Sequence, residues 1–164
     1  MRKPERQKTN MLGVVIPGAM TPFDKAAVGG ISKGAKEAKC DCSLLISKRS
    51  ADKVIAGAFK CQTNLCLAER VAGVFLRPLR GRASHKAMAQ VLSGFRKEKV
   101  PVVLFDDAAI KLPKTKGCDR ISLKCKSAVI PEAAVRLGDV AFRLMAQRLA
   151  DPSLPPVEVQ LNVP

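Results

Sequence analysis

No run of about 18 consecutive apolar residues occurs in this 164-residue chain, so no stretch of it reads as a membrane-spanning helix. The basic opening, MRKPERQKTN, is followed by only a short apolar stretch without an A-x-A-like cleavage site, so it does not read as a secretory signal. Histidine occurs once, at His85. The cysteines, Cys40, Cys42, Cys61, Cys66, Cys118 and Cys125, include no C-x-x-C pair, and the four spaced ligands of a structural zinc site are missing. Without an export signal these cysteines read as free thiols in a reducing, cytoplasmic setting rather than as disulfides. There is no G-x-S-x-G elbow, and His85 stands in the polar stretch GRASHK with nothing pointing to a cysteine partner, so the chain does not read as an enzyme. GGISKGAK (29–36) comes close to a phosphate loop. Ala35 stands where the lysine belongs, however, and the stretch falls within a helical period rather than after a strand, so helix packing explains its glycines better. No metal and no cofactor are expected.

What the chain has in excess is positive charge, +15 in net. It is unevenly spread: residues 61–127 carry 14 Lys and Arg against 5 Asp and Glu, whereas residues 128–164 carry 3 against 4. Such an excess could attract nucleic acid. No basic stripe on a single helix stands out, and a generally Lys-rich surface is the reading we favour.

Apolar runs and helical periods alternate along the chain. MLGVVI (11–16), CSLLIS (42–47), VAGVFL (71–76) and VPVVLF (100–105) are short, apolar and without polar alternation, as buried strands are. Between them, residues 24–39 bring Val28, Ile31, Ala35 and Ala38 to one side, with Gly29, Gly30 and Gly34 allowing close packing on a sheet. Residues 51–67 bring together Ala51, Val54, Ile55, Ala58 and Phe59, and residues 84–97 bring together Ala87, Val91, Leu92 and Phe95. Single helices between such strands predict an α/β fold with a doubly wound, mostly parallel sheet covered on both faces. Residues 108–127 are basic and break the rhythm, though RISLK could be a short strand. A helix follows from Pro131, with Val135, Val140, Ala141, Leu144 and Leu149 as its apolar residues, and VEVQLNV (157–163) alternates as an edge strand does.

The fourth strand ends in Asp106 and Asp107. Ligands of open α/β sheets bind beyond the carboxyl ends of the strands, and carboxylates there accept hydrogen bonds from the neighbouring hydroxyls of a sugar. Asp107 reads equally well as a turn or capping residue. Adjacent strand residues face opposite sides, so Asp106 is expected at the cleft and Asp107 outward. An acidic magnesium and phosphoacceptor pocket ranks low, since the first strand ends without carboxylates. Phe23, just after the first strand, reads equally as a ring that stacks on a pyranose or as a core plug. The arginines of RPLRGR (77–82) could meet an anion, but solvation of a loop is the favoured reading.

Taken in order, several segments resemble the effector-binding domain of lac repressor-type (LacI/GalR) transcriptional regulators and of periplasmic sugar-binding proteins. These are the opening NMLGVVIPGAMTPFDKAAVGGISKGAKEAKCDCSLLIS, RVAGVFLRPL, KVPVVLFDD and the closing SAVIPEAAVRLGDVAFRLMAQRLADPSLPPVEVQLNV. The likeness covers most of residues 10–164. It implies a periplasmic-binding-protein-like, flavodoxin-like lobe, with Phe23 as the ring-stacking residue, Thr21 beside it and Asp106 as the hydroxyl-binding aspartate. Asp107 stands where the family usually has arginine, and Val129–Ile130 where it often has a ligand-binding glutamine. Against the family pattern, the helix-turn-helix and most of the second lobe are expected to be missing.

The resulting expectation is a basic leader (1–10), an effector-binding lobe (11–107), a basic connector (108–127) and a closing helix and strand packed on the lobe (128–164). The function it implies is that of a truncated or degenerate effector-binding domain that takes a small sugar or polyol in transcriptional regulation. Its ligand-binding residues would be Thr21, Phe23, Asp106 and Asp107; it would form a homodimer, meet DNA only indirectly or non-specifically, and lie in the cytoplasm away from membranes. Two alternatives stand beside it: a ligand-free protein–protein (dimerisation) module, and a basic protein that binds nucleic acid without specificity.

Overall fold

The structure is a computed structural model that describes residues 9–46, 52–81, 84–108, 110, 118–125 and 130–163, with the side chains of 45, 46, 52–58 and 125 outside the description. Residues 1–8 of the leader, 111–117 and 126–127 of the basic span, Ala51, Arg82 and Val129, and the side chains of Val54, Ile55 and Ala58, therefore lie outside it.

Among the described residues six strands, β1 (Met11–Ile16), β2 (Asp41–Ile46), β3 (Gly73–Leu76), β4 (Val102–Asp106), β5 (Asp119–Cys125) and β6 (Glu158–Val163), form one sheet in the order β2-β1-β3-β4-β5-β6. Every pairing is parallel. The order follows the flavodoxin pattern, whose switch point lies between β1 and β3. The short strand read in RISLK is β5. It sits inside the sheet between β4 and β6, within the span expected to be a connector, and β6 is the edge strand that its alternation predicts.

Among the described residues four helices cover the sheet: α1 (Pro22–Glu37), α2 (Asp52–Ala68), α3 (His85–Lys97) and α4 (Pro131–Ala150). Successive strand residues face opposite sides. Leu12, Val14, Phe75, Val103, Phe105 and Ile121 accordingly bury against α1 and α4, while Val15, Val74, Leu76, Val102 and Leu104 bury against α2 and α3. Each large side chain so buried contributes roughly 1.5–3 kcal/mol, which is why runs without alternation mark these strands.

The inward face of α1 differs from the one expected. Ala38 is exposed and Val28 half-buried, and the buried stripe is Phe23, Ala27, Gly30, Ile31, Gly34 and Ala35. The reason is α4, on which α1 lies almost backbone to backbone. A methyl group on Gly138 would fall 2.0 Å from the carbonyl oxygen of Ala27, and one on Gly30 would fall 2.2 Å from that of Val135. The glycines thus admit a helix rather than the sheet. On α4, likewise, Ala134, Leu137, Gly138, Ala141, Leu144 and Met145 are buried, whereas Val135 is exposed.

Helices α1, α2 and α3 all end in the same way. Lys39, Arg70 and Lys99 take the left-handed conformation (φ 56°, 56° and 55°). The next residue's N–H returns to the helix in each case: Cys40 to Ala35 at 2.8 Å, Val71 to Cys66 at 3.3 Å and Val100 to Phe95 at 2.9 Å. This is the Schellman arrangement with a long cationic side chain in the glycine position. It turns each helix directly into the following strand.

Candidate functional site

At the carboxyl end of the sheet, on the switch point, the ends of β1, β3 and β4 meet. β1 leads through Gly18 (φ 81°) to Thr21, the N-cap of α1. Thr21 Oγ1 accepts from the Asp24 N–H at 3.2 Å, and Asp24 Oδ2 accepts from the Thr21 N–H at 2.7 Å and from its hydroxyl at 2.8 Å. This reciprocal capping box, T-x-x-D, buries Asp24 at the positive end of the helix, where a carboxylate is favoured.

β3 delivers Arg77. Its backbone N–H continues the ladder to Val15 O at 3.0 Å, and its side chain turns into the cleft with only 9% exposure. Nη1 donates to Asp24 Oδ1 and, at 3.2 Å, to Thr21 Oγ1. Nη2 reaches Asp107 Oδ1 at 3.2 Å and Asp106 Oδ1 at 3.5 Å. The guanidinium lies 5.0 Å from the centroid of the Phe23 ring, and that ring packs on Phe105 at 6.5 Å. Arg80 approaches from the solvent side, 61% exposed, and its Nη2 donates to Asp106 Oδ1 at 2.9 Å and to Asp107 Oδ1.

Asp106 and Asp107 therefore share two arginines. The outward orientation expected for Asp107 is not what the structure shows: β4 ends at Asp106, so strand alternation no longer governs the next residue. The Asp107 N–H donates to Asp106 Oδ1 at 2.8 Å and draws the two carboxyls together. Asp106 is the deeper, at 6% exposure. Burial, reinforced by the neighbouring Asp107, pushes its carboxyl up to about 6 against the opposing pull of Arg80 and Arg77. Burial also pushes Asp107 upward, but its bond with Asp106 and the two guanidiniums outweigh it, and its carboxyl sits below the ordinary range.

The structure thus brings all four expected residues, Thr21, Phe23, Asp106 and Asp107, to one edge. Phe23 is buried at 7% exposure, with the Arg77 guanidinium over its ring, so it stands as a core plug beneath a cation. Asp24, Arg77 and Arg80 were missed as participants. The T-x-x-D spacing is a readable capping signal for Asp24. Arg77 is not the loop-solvating residue that was favoured, because three carboxylates surround it. Among the described residues, no group of three or more His, Cys, Asp or Glu is placed to hold a metal ion, and the five cysteines whose side chains are described are unpaired. No helix of the described residues is long and apolar enough to cross a membrane.

No family model matches the sequence, and no curated protein does. Solved structures do. The lac repressor dimer bound to operator and the anti-inducer ONPF aligns at 15% identity with a TM-score of 0.52, over 95% of this chain and 48% of that one. A periplasmic sugar-binding protein of an ABC transporter from Legionella pneumophila aligns at 14% identity and 0.54, over 93% of this chain and 60% of that one. A LacI family transcriptional regulator from Enterococcus faecium, with bound ribose, aligns at 10% identity and 0.63, over 94% and 96%. The fold is periplasmic-binding-protein-like. This chain spans about half the length of the lac repressor chain and 60% of the Legionella protein. At such identities the likeness shows the fold, on which function is carried by the site.

Proposed function

We propose that this chain is a truncated or degenerate effector-binding lobe that takes a small sugar or polyol in transcriptional regulation, in the cytoplasm and without enzymatic activity or cofactor. The observation that carries this reading is the cluster at the switch point, where acceptor carboxylates (Asp106, Asp107) and donor guanidiniums (Arg77, Arg80) lie side by side. Vicinal hydroxyls both donate and accept, so such an array suits them. The solved relatives support it: the Enterococcus regulator holds ribose, and another LacI family regulator, CcpA from Weissella paramesenteroides, holds sucrose.

Within the proposed site Arg77 is fixed and Arg80 is exchangeable. Arg77 is buried and anchored by Asp24 and Thr21, whereas the exposed Arg80 can swing aside as ligand hydroxyls reach Asp106 and Asp107. Phe23 serves as the apolar floor beneath Arg77, and Thr21 holds Asp24 in place. The DNA reading is limited to indirect or non-specific contact, and the lobe acts as a homodimer.

A second reading, a ligand-free dimerisation module, gains from one observation: Arg77 already occupies the Phe23 face and bonds the carboxylates that a sugar would use. Ligand-detected NMR with millimolar aldoses and polyols separates the two. Saturable binding that Asp106→Asn weakens tenfold to a hundredfold, the cost of about one charged hydrogen bond, supports the effector site. No saturable signal for any sugar, together with a concentration-dependent dimer mass, overturns it in favour of the module.

A further inference from the structure

The Arg80 guanidinium occupies the place that an effector at the switch point would take. Its Nη2 donates to Asp106 Oδ1 at 2.9 Å and to Asp107 Oδ1, the same two oxygens that Arg77 reaches. The two arginines are held very differently. Arg77 is buried over the Phe23 ring and bonded to Asp24 and Thr21, so it belongs to the floor of the site. Arg80 is exposed, and the carboxylates of Asp106 and Asp107 are what hold its side chain.

The backbone at Arg80 is fixed independently of that side chain. The Arg80 carbonyl accepts from the Ser84 hydroxyl at 3.1 Å, and the carbonyl of the neighbouring Gly81 accepts from the Ser84 N–H at 3.1 Å. The guanidinium can therefore leave by rotation about its own side-chain bonds while the turn stays in place. Exposed ion pairs are weak, so such a contact yields to a better one.

Charge decides what the better contact is. Burial raises the Asp106 carboxyl and Asp107 adds to the rise, and Arg80 is the stronger of the two arginines that bring it down. A neutral ligand in the place of Arg80 would take that cation away from a buried carboxylate, which is costly. A ligand with a cation of its own exchanges one positive charge for another and leaves the balance of the site as it was. An ammonium carries three donors and can span the two Oδ1 oxygens as Arg80 Nη2 does, by charge-assisted bonds. Hydroxyls on adjoining carbons then use the remaining acceptor capacity of the carboxylates.

Given the effector reading of the switch point, on which this rests, we propose that the ligand is an amino sugar or amino polyol whose protonated amine takes the place of the Arg80 guanidinium on Asp106 and Asp107. The general field of the chain works against such a ligand, since a net charge of +15 repels cations. A preference for an amine over a hydroxyl must therefore come from the carboxylates of the site.

Saturation-transfer NMR titrations of the full chain near pH 7.5 provide the test, with glucamine (1-amino-1-deoxysorbitol), sorbitol, N-acetylglucamine and propylamine as probes. Glucamine and sorbitol differ by one amine in place of one hydroxyl, and the acetyl group removes the charge. Glucamine is expected to bind at least about tenfold more tightly than sorbitol or N-acetylglucamine, because charge-assisted bonds replace neutral ones. Arg80→Ala removes the competing cation and is expected to tighten glucamine binding about twofold to fivefold, the range of an exposed ion pair. Asp107→Asn, with thermal melts confirming its fold, is expected to cut the preference for glucamine over sorbitol at least about threefold. Sorbitol binding as tightly as glucamine, or Arg80→Ala weakening glucamine, overturns the amine and leaves the sugar reading standing. Propylamine binding as tightly as glucamine shows that the hydroxyls contribute nothing and overturns the sugar reading itself, and binding of none of the four overturns both.

Discussion

Two arginine–carboxylate clusters stand at the two ends of the same sheet, and they are built on different stoichiometries. At the amino end one guanidinium meets one carboxylate: Arg148 takes both oxygens of Asp119 and two backbone carbonyls, and Asp119 Oδ1 also accepts the Val157 N–H at 2.9 Å. Its charges balance, and the pair ties α4, β5 and the approach to β6 together. At the carboxyl end two guanidiniums face three carboxylates, Asp24, Asp106 and Asp107, and one of those guanidiniums is largely in solvent. Burial, reinforced by the neighbouring Asp107, is what leaves Asp106 with a carboxyl near 6 despite the two guanidiniums. A balanced pair has no capacity left for a ligand. An unbalanced one does, and perturbed groups in a cleft are where function is sought.

The balanced pair is where the largest effect is expected. Arg148→Met leaves the Asp119 carboxylate buried at 2% exposure without its cation, and removes the donor that holds the Leu154 and Pro155 carbonyls. Breaking a buried pair in this way costs about 3–5 kcal/mol, and replacing both partners by apolar residues recovers much of it. Chemical denaturation of Arg148→Met and of the double variant Asp119→Leu/Arg148→Met measures both figures. A single-variant loss below about 1 kcal/mol would show that the pair is not the structural clamp described.

The unbalanced cluster is expected to show itself through pH. In the fold the Asp106 carboxyl sits at about 6 against an ordinary 3.8, so the folded chain holds that proton more tightly than the unfolded one. The associated stability is full below pH 3.8 and is lost as pH rises through 6; Asp107, shifted the other way, acts in the opposite sense as pH falls. Asp106→Asn removes the first contribution. Relative to the unsubstituted protein, the variant should gain about 1–3 kcal/mol between pH 4 and pH 7.5. Urea midpoints of the two proteins across that range give the difference directly. Parallel curves would mean that Asp106 is ionised throughout and that burial does not raise its carboxyl.

The two clusters were also unequally legible. The strands could be read because a fully covered parallel sheet demands unbroken apolar runs, and Asp106 because the end of such a strand points to the ligand edge. The arginines could not. Arg77 is 53 residues from Asp24 and 29 from Asp106, and Arg148 is 29 from Asp119, separations across which no local pattern carries information. The phase of α1 was misread for a related reason: hydrophobic periodicity gives glycine no weight, yet Gly30 and Gly34 are where α1 touches α4. β5 was harder to read because Arg120 and Lys124 flank a buried core of only Ile121, Ser122 and Leu123.

The smallest stability effect separates a clamp from an exchangeable contact. Arg80 is 61% exposed, and removing an exposed partner costs about 0–1 kcal/mol, far less than the loss of Arg148. Arg80→Ala should therefore leave the denaturation midpoint almost unchanged. Its trace should appear in titration instead. The Arg80 guanidinium holds Asp106 down, by a hydrogen bond and by its charge, so without it the Asp106 carboxyl rises beyond about 6. Carbon-detected NMR titration of the Asp106 carboxyl would follow that shift. If Arg80→Ala destabilised the fold as much as Arg148→Met, Arg80 would be a structural anchor and could not swing aside for a ligand. An upward move of Asp106 at nearly constant stability is the behaviour required of a site whose outer cation is replaceable.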